Sequence, residues 1–361
     1  MFSDKRGLSE VVVAVIMIVL VLAAIGIIWV VVKNVLTKGS EQIGGALEFV
    51  TLDIENVQVK DDGTILVGVK RTDTTEADVS KIKLFFSDGT DQESKDFDAI
   101  LGPLDKKTFD GITLTDLAYA NEISVAPIVK TSDGTEKLRE ITDKYEVAEN
   151  NVDVVKLFFR PVSWWRMEGD ASDEAGGNDG LATNVEFVDG EYGKALDSTN
   201  SFQITFDFTN PITISNGYTT IFRVNIPSPD APHDMILQLT ANTNKRFWVT
   251  NYPSFTSTNP FFLFTNDEGV GSITTISAPF TTNSGVFIAL TVDNTGKQQL
   301  YVNNNAPVLG NSAYSLGNPI TQMKISDPSM KGFNGKIDEV MLFNRALSEN
   351  EVKALYELDL S

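Results

Sequence analysis

The chain has 361 residues, no cysteine, and 49 Asp and Glu against 29 Lys and Arg, for a formal charge of −20. That balance argues against nucleic acid as a partner, because phosphate binding takes basic patches. The missing cysteines exclude disulfides and thiol chemistry and leave the redox compartment unread. The length predicts two folded domains beside any membrane segment.

The first feature along the chain is Val11 to Val32, VVVAVIMIVLVLAAIGIIWVVV, which holds no charged residue. As a helix it would be roughly 33 Å long, enough to cross a hydrocarbon core of about 30 Å. Apolar on every face, it belongs in lipid or inside protein. Lys5 and Arg6 precede it, and Lys33 and Lys38 follow it. This near balance leaves orientation to the rest of the chain. The acidic, strand-rich body is expected outside, beyond about residue 40, with the N-terminus inside. Residues 33–46 carry Gly39, Gly44 and Gly45 and are predicted to end the helix in a hinge.

A secretory signal would have a shorter apolar region with a small-residue cleavage site after it. Here Lys5-Arg6-Gly7-Leu8-Ser9-Glu10 stands before the apolar run. This arrangement resembles the class III signal of archaeal type IV pilin-like proteins. The resemblance implies that a prepilin peptidase cuts between Gly7 and Leu8, that residues 1–7 are lost, and that the helix over 8–46 packs against those of other copies. It also implies that Glu10 pairs with a neighbour's amino group, although Glu10 is third after the cut where the widespread bacterial pattern has a Glu fifth. The alternative is an uncleaved single-pass anchor.

From Leu47 the period changes. LDIENVQV alternates apolar and polar, Asp61-Asp62-Gly63 makes a turn, and TILVGV returns. KIKLFF, ISVAPIV and EKLREI follow, with turns at Ser87-Asp88-Gly89 and Ser132-Asp133-Gly134. The spacing predicts an immunoglobulin-like antiparallel β-sandwich over 47–147, a spacer with no chemistry of its own. In the linker 148–162, VDVVKLFF is predicted as the first strand of the next domain.

The second domain, 156–361, opens on Trp164-Trp165-Arg166-Met167-Glu168-Gly169 and continues in strand-like pieces such as FQITFDF, YTTIFRVNI, GVFIALTVDN and KQQLYVNN. It closes with a strand and then a helix that has Ser348 at its N-cap and Glu349 and Glu351 in its first turn. Such evenly spaced strands predict a two-sheet jelly roll, which makes the chain mainly β. Asp173 to Gly180, Gly190 to Leu196, Leu300-Tyr301-Val302-Asn303, and FNGKIDEV with NRALSENEV resemble, in order, the landmarks of the laminin G-like, concanavalin A-like jelly roll. The resemblance implies a lectin-like ligand-binding domain, with carbohydrate often the ligand and protein contacts sometimes the only role.

Some jelly rolls of that superfamily hydrolyse glycans with an E-x-D-x-x-E strand. Two carboxyls must flank the bond, roughly 5–10 Å apart, and carboxylates at alternate positions of one strand would share a face. No strand here offers that triplet. Asp338-Glu339 and Asp267-Glu268 are adjacent, expected to point to opposite faces or to lie in turns, and the lone His233 is expected in a solvated loop. No enzyme activity is expected. Ca²⁺ takes six to eight oxygens, and Asp173, Asn178 and Asp179 offer such oxygens in a Gly-rich loop. The resemblance adds Asp338, so Asp173, Asn178 and Asp338 are the expected calcium ligands; their competing role is to build a turn. Trp248 and Tyr252 flank the loop VTNYPSF and are the candidates for stacking on a sugar, whereas Trp164 and Trp165 are expected in the core. Together these features predict a pilin-like subunit of a surface filament that displays a lectin-like domain to a glycan or a surface protein.

Overall fold

Asp-Gly turns build the first domain. Gly63, Gly89 and Gly134 take left-handed φ values of 80°, 98° and 84°, a conformation glycine adopts without steric cost. Between and beyond these turns run β1 (Leu52–Val59), β2 (Ile65–Arg71), β3 (Asp78–Ser87), β4 (Gln92–Leu101), β5 (Lys106–Ile112), β6 (Glu122–Lys130), β7 (Glu136–Leu138) and β8 (Asp143–Glu146). They form two antiparallel sheets, β1-β2-β5 and β4-β3-β6-β7, with β8 also on β6. The alternation read in LDIENVQV faces Leu52 and Ile54 onto a core shared with Val67, Ile82, Leu84, Phe86, Ile123 and Val125. The computed structural model describes residues 49–131, 133–182, 185–197, 203–227, 234–241, 246–252, 261–267, 276–310, 316–326 and 334–360, with backbone alone for 234, 246–252 and 261–267. The processing site at Gly7 and Leu8, Glu10, the apolar helix over 8–46 and His233 lie outside these residues. Among the described residues no helix is long and apolar enough to cross a membrane.

Residues 151–159 overturn one expectation. VDVVKLFF is not a strand: it forms α1 (Asn151–Val154), which runs into a π-helical turn, Val155–Phe159. The Asn150 side chain caps it by accepting the Asp153 N–H at 3.0 Å, and Arg160 ends it at a φ of 54°. A short apolar run does not distinguish strand from buried helix by period. Here the choice is made by packing, because Val154, Val155 and Phe159 join one apolar cluster with the C-terminal helix.

The second domain is a two-layer sheet structure. Its strands are β9 (Ser163–Trp165), β10 (Leu181–Ala182), β11 (Glu186–Asp189), β12 (Lys194–Asp197), β13 (Ile204–Ile212), β14 (Tyr218–Asn225), β15 (Asp234–Ala241) and β16 (Arg246–Tyr252). They continue with β17 (Phe261–Asp267), β18 (Ile276–Pro279), β19 (Gly285–Val292), β20 (Gln298–Val302), β21 (Val308–Leu309), β22 (Ile320–Ile325) and β23 (Lys336–Phe343). A seven-stranded sheet runs β10-β13-β22-β15-β16-β17-β18 and an eight-stranded sheet runs β11-β12-β23-β14-β19-β20-β21, with β9 on β23. Trp165, Phe206, Phe222, Ile288, Leu300, Ile325 and Leu342 fill the space between them. The outer face of the eight-stranded sheet is covered in turn. Trp164, Ile221, Phe287 and Met341 meet α1, its π turn and α2 (Glu349–Glu357). Ser348 caps α2 in a reciprocal capping box with Glu351, as the sequence predicts.

Arg71 ties the sandwich together at the end where the chain enters. Its side chain is fully buried. The guanidinium pairs with Asp73 at 3.0 Å and donates to the carbonyls of Ala77 at 3.0 Å, Leu101 at 2.7 Å and Thr75 at 2.7 Å. It thereby joins the end of β2 to the crossover into β3 and to the end of β4. Removing one partner of such a network leaves the others buried without donors and costs about 3–5 kcal/mol. Arg71→Met is therefore expected to abolish slow hydrogen exchange in β2, β3 and β4 while leaving the second domain protected. Unchanged protection across those strands would refute the anchoring role.

Candidate functional site

The outer face of the seven-stranded sheet bears a cross-strand row of side chains with hydrogen-bonding capacity. Leu181 pairs with Thr205, Thr205 with Lys324, Lys324 with Gln238, Gln238 with Trp248, and Trp248 with Thr265. Directly opposed residues on antiparallel strands share a face. The flanking residues Ile204, Phe206, Met323, Ile325, Leu237 and Leu239 are buried in the inter-sheet core, so Thr205, Lys324 and Gln238 face away from it, with Gln238 itself buried. The adjacent row runs Asp207, Gln322, Thr240 and Arg246. Within it Gln322 donates to Asp207 at 2.6 Å, and Gln238 donates across to Thr240 at 2.9 Å. Trp248 and Tyr252 lie on β16. The signal for the polar rows was in the sequence all along. FQITFDF, ITQMKI and ILQLT each carry polar residues at alternate positions between buried apolar ones.

The expected calcium ligands divide into two groups. Asp173 and Asn178 share one turn. Asp173 Oδ1 accepts the backbone N–H groups of Trp164, Ala175 and Gly176 at 2.8, 3.1 and 3.0 Å, and Oδ2 accepts that of Asn178 at 3.1 Å. Asn178 donates from its amide to Ser163 Oγ at 2.9 Å, and its carbonyl accepts the Trp165 indole N–H at 2.8 Å. The Asp173 carboxylate and the Asn178 backbone carbonyl thus hold this turn. Asp338 lies elsewhere, against Gly190, where a Cβ would come within 2.9 Å of its Oδ2. Among the described residues no three acidic or histidine side chains gather to hold a metal.

Asp338 and Glu339 differ from the alternation expected of neighbours on a strand. Arg223 pairs with Asp338 and Ile221 with Met341, so β23 carries an extra residue. Glu339 takes a φ of 49°. The bulge re-aims its side chain, and both carboxyls lie on the side away from the inter-sheet core. Glu339 accepts the Trp164 indole N–H at 2.5 Å and pairs with Arg166 at 3.2 Å. Asp338 Oδ1 accepts the Glu339 N–H at 2.9 Å, while its Oδ2 has no hydrogen-bond partner although the residue is buried. A cleft of about 210 Å³ opens beside it, bounded also by Gly190, Glu191, Arg223 and Lys336. Arg223 is held in place by lying over the rings of Tyr192 at 4.4 Å and Phe287 at 5.1 Å. Sequence reasoning did not mark Arg166 or Arg223, because neither sits in a motif.

Burial, and then the charge of Glu339 beside it, push Asp338 up to about 8. Burial also raises Glu339, against the pull of Arg166. A carboxyl in water releases its proton near 4. Between there and about 8 the unfolded chain has lost a proton that folded Asp338 keeps. Stability of this domain therefore falls as pH rises through that span. Trp164 and Trp165 are buried in this domain, the sandwich has no tryptophan, and Trp29 lies in the apolar run, so tryptophan fluorescence of the Trp29→Phe protein reports this domain alone. In calcium-free buffer its melting midpoint is expected to drop between about pH 5 and 8, and Asp338→Asn is expected to flatten the drop. A midpoint that rises with pH would contradict this account.

Comparison with known proteins bears on this domain. Residues 196–353 match the family model described as the concanavalin A-like lectin/glucanases superfamily. No curated protein matches the chain. Among solved structures, domain 4 of an extracellular arabinanase from Geobacillus stearothermophilus, in complex with arabinotriose, is 17% identical. That match covers 55% of this chain and 98% of that one, with a TM-score of 0.42. The binding domain of Paraclostridial Mosquitocidal Protein 1 is 18% identical over 55% of this chain and 52% of that one, with a TM-score of 0.43. The botulinum neurotoxin serotype D ligand binding domain, in complex with N-acetylneuraminic acid, is 15% identical over 55% and 50%, with a TM-score of 0.42. The chain spans about half the length of these two toxin domains. The C-terminal domain is a laminin G-like, concanavalin A-like jelly roll.

Proposed function

We propose that the protein is a pilin-like subunit of a cell-surface filament whose jelly roll binds carbohydrate, held away from the membrane by the β-sandwich. The match of residues 196–353 to a superfamily of lectins and glucanases carries the binding half of this reading. The outward Thr205 and Lys324, in backbone register with Gln238 and Trp248, support it, because hydroxyl-rich ligands need donors and acceptors beside an apolar surface. Between lectin and glucanase the carboxylates favour the lectin. Glu339 is engaged with Trp164 and Arg166, and Asp338 is buried, so this pair does not flank an open groove as hydrolysis requires. The filament half rests on Lys5-Arg6-Gly7 standing before Val11–Val32. Calcium has a place in this reading only at Asp338, whose Oδ2 has room for a further partner. Asp173 and Asn178 serve their turn.

Binding is tested with the full-length protein in detergent on an array of glycans. At least one class of glycan should be retained. Trp248→Ala should weaken it roughly tenfold, the loss of one stacking contact of about 1.5 kcal/mol, with a smaller loss for Tyr252→Ala. Absence of binding, or equal binding by Trp248→Ala, would remove the carbohydrate reading of this face.

Processing is tested separately by the mass of the native protein. The mature chain is expected to begin at Leu8. A chain that still carries Met1 to Gly7 would favour the uncleaved anchor, with the same body outside the cell.

A further inference from the structure

Among the described residues, the large exposed apolar side chains of the β-sandwich are confined to one of its ends. The large ones are Phe49 at 72%, Ile100 at 84%, Leu104, Leu138 and Ile141. Leu52 pairs with Arg71, Lys70 with Lys106, Val79 with Leu101, and Asp78 with Lys130. The start of β1, the end of β2, the start of β5, the end of β4 and the end of β6 therefore share one end. Phe49 precedes that start of β1, Ile100 and Leu104 flank the β4–β5 turn, and Ile141 adjoins Thr142, whose Oγ1 accepts the Leu52 N–H at 3.0 Å. Leu138 lies opposite Ile128, near the end of β6. The opposite end carries the turns with Asp61, Asp62, Asp88 and Asp91. It meets the jelly roll through Arg160, which pairs with Asp61 at 2.9 Å. Single exposed hydrophobics are ordinary on a soluble domain, but their restriction to one end calls for a cause.

We infer that this end rests on the outer surface of the membrane, with Phe49, Ile100, Leu104 and Ile141 among the lipid headgroups. The inference concerns the subunit before assembly and rests on Val11–Val32 spanning the bilayer in that form. Only residues 33–48 separate that run from Phe49, and fully extended they reach roughly 58 Å. The tether joins the sandwich at this end, beside Phe49, and keeps the domain at high local concentration near the bilayer. Shallow burial of scattered apolar tips in the interface needs no basic patch, provided that carboxylates do not oppose it. At this end Glu55 pairs with Lys106 at 2.7 Å, Asp73 with Arg71 at 3.0 Å, and Asp105 accepts the Gly102 N–H at 2.8 Å, and the exposed Glu76, Asp78 and Asp133 stand with the exposed Lys106, Lys107, Lys130 and Lys137.

The absence of cysteine from the chain makes single labelling sites available. Ile100→Cys, Leu104→Cys and, on the jelly roll, Leu181→Cys would each carry an environment-sensitive dye. Each full-length variant is reconstituted in vesicles of phosphatidylcholine and phosphatidylglycerol. The dyes at 100 and 104 should shift to the blue and be quenched by headgroup-depth spin-labelled lipid. The dye at 181 should respond to iodide alone. If the protein resists carbonate extraction but the dyes at 100 and 104 behave like that at 181, the sandwich stands clear of the membrane and this inference fails by itself. Shielding of those dyes from both quenchers would indicate a protein contact and overturn it as well. Extraction of the protein by carbonate would instead overturn the insertion of Val11–Val32, and this inference with it.

Discussion

The jelly roll depends on the placement of two adjacent tryptophans. β9 lies on β23 with Trp165 opposite Val340 and Trp164 opposite Met341. Consecutive residues of a strand face opposite ways, so one indole enters each of the two apolar layers. Trp165 stacks among Phe206 and Phe208 between the sheets. Trp164 lies under α2 with Phe287 and Met341. Each indole N–H, which must find a partner when buried, reaches a different acceptor: the Asn178 carbonyl for Trp165 and the Glu339 carboxylate for Trp164. The Asp173 turn and the bulge at Glu339 are thus the polar complements of this pair. Three strand residues bind both layers into one unit.

The two domains handle their buried charge in opposite ways. In the sandwich, Asp73 and Glu93 are held low despite their burial: Arg71 and Thr75 bond Asp73, and Lys95 with the amides of Asp116 and Thr115 bond Glu93. Their contribution is present at neutral pH and fades as pH falls through their depressed values. In the jelly roll, Asp338 and Glu339 are raised, and their contribution fades as pH rises. The spacer is therefore built for neutral surroundings, and the binding domain is most stable in mild acidity. The pair sits beside Arg223 and Arg166 and away from the polar rows on the opposite sheet, which separates this response from the face proposed to bind glycan.

Much of this architecture is legible in the sequence, and the illegible parts share a physical cause. The Asp-Gly turns, the alternation in β1 and the capping box at Ser348 are local signals, set by backbone conformation and by hydrogen bonds within a few residues. They need no knowledge of what lies across the sheet. VDVVKLFF reads as a strand because its helical form is chosen by the surface it covers. Asp338-Glu339 reads as an alternating pair because a bulge breaks period two with no residue type to announce it. The bonds of Asp173 to four backbone amides are not legible either, because carboxylates that bind amides and those that bind metals look alike in sequence. The polar rows were visible as alternate spacing in three strands, but only the register brings Thr205, Lys324, Gln238 and Trp248 into one line.

Arg160 gives the junction between the domains a mechanical character. Its guanidinium donates to the Val59 carbonyl at 2.8 Å and pairs with Asp61, while its Nε donates to Leu157 at 2.8 Å. Three residues later the chain enters β9. A pull between a held ligand and an anchored sandwich is first borne by this clamp and then delivered to β9 at its N-terminal end. A three-residue strand loaded there would peel from β23 one hydrogen bond at a time. The indoles of Trp164 and Trp165, set into opposite layers just behind the point of loading, convert that peeling into the extraction of two buried rings. The first rupture under tension therefore falls on the clamp, and the fold of the jelly roll yields only after it.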